Sequence, residues 1–244
     1  MTDGITPAGQ GRSFGPVADR YDAIRPDYPA AAVVWAIGER PVRVADLGAG
    51  TGILSRRLHQ LGHDVVAVEP DDLMRARLAA ACPTITALAG TAEAIPLPDQ
   101  SVDVVVAGQA YHWFDAPRAH IEIARVLRPS GVFAALWNDA DAGTPWTVRY
   151  GEIIDGSTPR ARPVSDFGPR FGPVQTATFP HEVWMTPEDL VALATTRSPY
   201  LVATPHGQRN IVDAVRRLTT EPELAGRSRF PMPHLTRVHR ATLR

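Results

Sequence analysis

Apolar positions follow two alternating rhythms up to about residue 139 and lose them afterwards. Residues 42–47, Asp64–Val68, 84–89, Val102–Ala107 and Val132–Trp137 are short, largely apolar runs. Runs of this length that are apolar on both faces are the mark of buried parallel strands, and in Val102–Ala107 only Asp103 interrupts. Between the runs the spacing changes to that of helices: Leu54, Leu58 and Leu61; Met74, Leu78 and Ala81; Ala119, Ile123, Val126 and Leu127. Pro129 and Gly131 stop the last of these. Strands and helices alternating at this length predict right-handed βαβ crossovers and an α/β fold: a central, mostly parallel sheet with helices on both faces.

The flanks read differently. Residues 1–13 are glycine-rich and polar and are expected to be mobile. A helix is expected from around Pro16, with Val17, Tyr21 and Ile24 on one face, until Arg25-Pro26 interrupts it. A second, over about 29–39, carries Val33, Val34 and Ile37 and ends near Gly38. Beyond 138, five prolines between Pro159 and Pro180 predict loop, and residues 176–185 a strand in which Pro180 implies an edge or a bulge. Thr186-Pro187-Glu188-Asp189 combines a cap, a first-turn proline and acids at a helix start, continued by Leu190, Leu193 and Ala194. Ile211, Val215 and Leu218 mark a further helix with Arg216 and Arg217 on its solvated face, and residues 234–243 suit a closing strand.

Composition narrows the partners. The 244 residues carry a net charge of −1, which gives no support for broad electrostatic binding to nucleic acid or membrane. No apolar run approaches the ~20 residues of a membrane helix, and the polar start has no apolar core of a secretion signal. Cys82, the one cysteine, has no partner for a disulfide or a thiolate metal cluster. A cytoplasmic protein without a resident metal is expected.

The chemistry gathers where the predicted strands end. After the first strand come Asp46, Gly48, Ala49, Gly50, Thr51 and Gly52, then a helix. Glycines there let a ligand approach the backbone, and a helix start offers free N–H groups to it. Glu69-Pro70 closes the second strand, where a carboxylate can bind both hydroxyls of a ribose. Ile53 stands where a dinucleotide fingerprint wants its third glycine.

Asp-Leu-Gly-Ala-Gly-Thr-Gly (46–52) resembles motif I of the class I S-adenosylmethionine (SAM) dependent methyltransferases. The resemblance runs from the Phe14 region through residues 127–131 and 136–139 to the helix start at Thr186, and is nearest the small-molecule enzymes that include trans-aconitate methyltransferase-like proteins. It implies a Rossmann-like fold with an antiparallel final strand, in one domain: an N-terminal helical lid over 1–40, a SAM-binding core over 41–139, and a substrate-side region over 140–244. It implies cofactor contacts from the glycine loop and Glu69-Pro70, from Met74 against adenine, and from Thr91, Ala92 and Glu93. Many members carry an acid at the position of Thr91; here it comes two residues later, as Glu93. Gln109 and Ala110 follow strand four beside the reacting methyl, and Tyr111, His112 and Trp113 face the substrate. In the lid, Tyr21 and Arg25 face inward, Arg25 being the nearest cation to the methionine carboxylate of SAM in a chain without lysine. The implied reaction is in-line methyl transfer to a small molecule with release of S-adenosylhomocysteine (SAH). His112 is the candidate base if the acceptor is a hydroxyl, and a positioning group if it is a carboxylate. The alternatives are an NAD(P)-dependent oxidoreductase and a SAM-binding protein without turnover. Oligomeric state is not legible.

Overall fold

The computed structural model describes residues 22–155 and 164–244. The strands are β1 (Arg43–Leu47), β2 (Asp64–Val68), β3 (Thr86–Leu88), β4 (Val102–Gly108), β5 (Leu127–Ala140), β6 (Gln175–Met185) and β7 (Phe230–Thr242). They form one seven-stranded sheet in the order β3-β2-β1-β4-β5-β7-β6. The pairings from β3 across to β5 are parallel, and β7 runs antiparallel to both neighbours. The expected mostly parallel sheet with an antiparallel final strand is present.

Two apolar layers cover the sheet because successive side chains point to opposite faces. Val44, Val65, Val104, Leu136 and Val238 pack with α1 (Ala30–Ile37), α2 (Ile53–Gln60) and α3 (Asp72–Ala81). Ala45, Leu47, Val105, Phe133 and Trp137 pack on the other face with α4 (Ala116–Val126), Phe167 and Phe171. A third cluster joins α5 (Pro145–Asp155), α6 (Pro187–Ala194) and α8 (Pro205–Leu218) to the end of β5 and the start of β7 through Ala140, Tyr150, Leu190, Val215 and Phe230. A short α7 (Ser198–Leu201) lies between α6 and α8.

Several expectations are met in detail. Thr186 and Asp189 form a reciprocal capping box at the start of α6. Arg216 and Arg217 are exposed on α8, and Pro180 sits in β6, at the sheet edge. Others are not. Leu127 begins β5 instead of ending α4: its backbone is already extended, at φ −70° and ψ 137°, and the proline two residues on forces Arg128 to stay extended too. Helix α5 was hidden by the loop-like composition around it, although Trp146, Tyr150 and Ile154 share its buried face. Strand β7 starts at Phe230, earlier than its prolines imply. Ladder pairing with β5 begins only at His234, so Pro231 and Pro233 occupy a stretch whose ladder partners lie in β6. Of the expected first helix, Asp22–Ile24 are helical; its earlier part, with Tyr21 and the segment 1–13, lies outside the described residues.

Candidate active site

The strand order reverses between β1 and β4, and in open α/β sheets ligands sit in the crevice that this creates at the carboxyl ends. The loops that follow these two strands touch: a Cβ at Gly48 would lie 2.7 Å from Cβ of Ala110. A Cβ at Gly52 would meet Leu78 of α3 at 2.6 Å. Gly50 differs. Its φ is +58°, and a Cβ there would meet no atom within 4 Å. Thus Gly48 and Gly52 allow packing, whereas Gly50 presents bare backbone to open space.

Glu69 closes the loop from the side. Its carboxylate is buried and accepts hydrogen bonds from Gly50 N–H and Asp71 N–H, each 2.8 Å. Desolvation raises its pKa, opposed by these two bonds. Asp71 caps α3 through Leu73 N–H and Met74 N–H, which sets Met74, buried, at the first turn.

Asp46 is also buried, at 1 % exposure. One oxygen accepts from the Ser55 hydroxyl at 2.6 Å, while Oδ1 has no hydrogen-bond partner among the described residues. Burial pushes its pKa up to about 7 against the pull of Ser55, with repulsion from Glu69 adding to the rise. Thr51 Oγ1 is a second buried polar atom without a partner there. Two unmet polar atoms beside an open glycine backbone fit a polar, cationic portion of a ligand, and the Glu69 carboxylate fits a diol.

The loop after β4 is anchored by its aromatics. Gln109 adopts φ +56°, a left-handed conformation a glutamine rarely takes. Its N–H donates to Leu136 O and its side-chain amide to Asn138 O. Tyr111 turns into the core, its hydroxyl 2.9 Å from His120 Nε2 and its ring edge-on to Trp137 and Phe167. Burial raises its pKa to about 12. This geometry fits an anchoring role for Tyr111. His112 Nδ1 lies 3.5 Å from the Trp137 indole N–H, which can only donate. Trp113 packs against His112, ring centroids 4.6 Å apart. Glu93 accepts from Asp115 N–H, and Thr91 forms a small bridge with Ala94. The acid near the third strand therefore holds the β4 loop in place.

Long-range contacts complete the surroundings. Asp22 pairs with Arg56 at 2.5 Å and Arg77 at 3.1 Å, tying the segment before α1 to α2 and α3. Arg25, expected at the methionine carboxylate, donates to Thr196 Oγ1 and O. Asn138 donates to Pro26 O and Asp27 O. Residues 22–27 thus cross the ligand end of the sheet, fastened on both sides. Nothing in local periodicity signals these partners, which are distant in sequence.

A sheet of this order, a glycine loop after β1, and a buried acid after β2 define a class I SAM-dependent methyltransferase. Among dinucleotide enzymes the sixth strand follows the fifth directly; here β7 enters between them. Residues 45–135 match the methyltransferase domain family. An uncharacterised methyltransferase of Mycobacterium tuberculosis is 41% identical over 232 residues, 95% of this chain and 96% of that protein. A methyltransferase-like protein of Schizosaccharomyces pombe is 34% identical over 193 residues, 72% of this chain and 73% of its own. A solved structure of a candidate type II methyltransferase from Anaeromyxobacter dehalogenans covers 90% of this chain and 97% of its own, with a TM-score of 0.64 at 25% identity. The chain belongs to the methyltransferase family, and its activity is SAM-dependent methyl transfer. No helix among the described residues is long and apolar enough to cross a membrane.

Proposed function

We propose that this enzyme methylates a small molecule, and that its chain works as one methyltransferase domain. The observation that carries this reading is the strap of residues 22–27 across the ligand end of the sheet, fastened to α2 and α3 by Asp22 and to Asn138 and Thr196 beyond. A roofed site suits a small acceptor better than a polymer. SAM, when bound, supplies a methyl group activated on a sulfonium. The backbone of Gly48, Ala49, Gly50, Thr51 and Gly52 cradles the cofactor, Asp46 and Thr51 receive its cationic end, and Glu69-Pro70 takes the ribose. Met74, Thr91, Ala92, Gln109 and Ala110 border the adenine and the reacting end. Holding the two reactants in line is worth as much as ~7–11 kcal/mol of barrier. A cytoplasmic setting is part of this reading and accords with the lone cysteine. A methyl-transfer screen against small acids, phenols and lipid-like acceptors, with mass detection, is expected to yield a methylated small molecule. Transfer to protein or nucleic acid alone would end the small-molecule assignment.

Asp46 makes cofactor affinity depend on pH. The folded carboxyl titrates near 7, above its ordinary value of 3.8. Its neutral form is favoured without ligand, so its contribution to stability declines as pH rises from about 4 to about 7. A cation placed beside it favours the ionised form instead. SAH affinity is therefore expected to strengthen as pH rises from 5.5 to 7.5, by as much as about tenfold per unit below 7, and then to level off. Titration calorimetry of Asp46→Asn should show weaker binding with this slope removed. The same slope in the variant would clear Asp46 of the role.

His112 is assigned to positioning. Because the Trp137 indole donates to Nδ1, a neutral His112 carries its proton on Nε2. His112→Ala is expected to raise the acceptor KM with kcat kept within a few-fold. A loss of ~10²-fold in kcat, together with the acidic limb of the pH profile, would make it a base instead.

A further inference from the structure

The sheet brings two histidines together at its ligand end, outside any motif. β7 runs antiparallel, so its early residues lie level with the end of β5: Asn138 pairs with Thr236, and Ala140 with His234. On the other side of β7, His234 pairs with His181 of β6, with ring centroids 5.5 Å apart.

Hydrogen-bond directions here can be followed proton by proton. The Asn138 amide nitrogen donates to Pro26 O and Asp27 O, at 3.3 and 3.1 Å, which fixes its oxygen as an acceptor. Thr236 donates its one hydroxyl proton to that oxygen at 2.5 Å. The Thr236 oxygen can then only accept from His181 Nδ1, 3.5 Å away. The nearby Phe179 carbonyl also favours a proton on this ring, while burial lowers its pKa. A neutral His181 therefore carries its proton on Nδ1 and leaves a bare lone pair at Nε2. That atom is buried and has no hydrogen-bond partner among the described residues. Arg197 Nε, a donor, is unmet in the same way, and both Arg197 and His181 act electrostatically on His234. The same Asn138 accepts at its carbonyl from Gln109, in the loop after β4. The network thus runs from the β4 loop to Asn138 of β5, and from there across two strand spacings, ~10 Å, to His181.

We propose that His181 is a specificity-determining residue, whose Nε2 accepts a hydrogen bond from a hydroxyl on the methyl acceptor, away from the reacting atom. Asn138 and Thr236 are positioning residues that act through it. A hydroxyl can donate to the Nε2 lone pair, whereas a carboxylate would set a lone pair against it. Arg25, Asp27 and Arg197 supply the surrounding charge, while His234, whose pKa burial lowers to about 4, stands neutral beside His181. The proposal rests on the methyltransferase reading for the identity of the ligand.

Nitrogen-15 correlation spectra of histidine-labelled protein test it, with and without SAH, using phenol and benzoate as probes. His181 is expected to be neutral with its proton on Nδ1, and phenol to move its Nε2 resonance more than benzoate does. His181→Asn keeps a donor toward Thr236 but has nothing at the Nε2 position; it should bind phenol at least tenfold more weakly. His181→Gln returns an amide oxygen there and should recover binding to within about threefold. SAH affinity and melting temperature should hold in both. A proton on Nε2, no response to phenol, a preference for benzoate, or unaltered phenol binding in His181→Asn would each overturn the proposal. Failure of the wild-type protein to bind SAH would instead strike at the cofactor site, while the ligand-free spectra still judge His181.

Discussion

Gly50→Val is expected to lower SAH affinity at least 100-fold while the protein stays folded. Both halves of this result follow from the geometry of one residue. A Cβ at position 50 meets nothing of the protein within 4 Å, so the added atoms enter the space where a ligand would approach the backbone. The cost to the fold comes from φ +58°, which strains a residue with a side chain by ~1–2 kcal/mol, and somewhat more when it is β-branched. In a chain of this size that lowers the melting temperature by about 2–8 °C. Gly52→Ala is the contrasting control: its Cβ would press on Leu78 at 2.6 Å, so stability should fall along with binding. Calorimetry with SAH and a thermal melt on each variant check the pair. Wild-type SAH affinity in a folded Gly50→Val would remove the glycine loop from the site.

Glu69→Ala has the second large effect. It is expected to weaken SAM and SAH equally, by ~1.5–3 kcal/mol, the range for hydrogen bonds to a charged group, or roughly 10- to 150-fold. The carboxylate does more than await a ribose. It accepts the Gly50 and Asp71 N–H groups, so its loss also frees the glycine loop and unsettles the start of α3. A modest loss of stability should accompany the loss of affinity. Glu69→Gln keeps one acceptor oxygen and should fall between the two. Turnover at saturating SAM should be nearly unchanged, because the ribose is the same in the ground and transition states. A collapse of kcat at unaltered affinity would assign Glu69 to the chemistry and contradict its place in cofactor binding.

Different parts of this site were legible to different degrees. Asp46, the glycines and Glu69 could be read directly, since each directly follows or ends a strand whose apolar run marks it. Their roles within the protein could not. That Glu69 holds Gly50, or that Glu93 holds Asp115, depends on distances between strand ends. Tyr111 shows a similar limit. An aromatic after β4 is visible in sequence, but only the packing shows its ring turned toward His120 and Phe167.

The sequence by itself determined the alternation of strands and helices, the parallel core, the glycine loop and the acid after β2. These are set within a few residues of one another, by periodicity and by backbone freedom at glycine, and they carry the methyltransferase assignment. Tertiary structure decided the insertion of β7 between β5 and β6, the strap of residues 22–27, and the line of contacts from Gln109 through Asn138 and Thr236 to His181. Periodicity records which face of an element is buried, not which distant residue covers it. Asn138 and Thr236 are 98 positions apart, and the sheet register alone makes them neighbours.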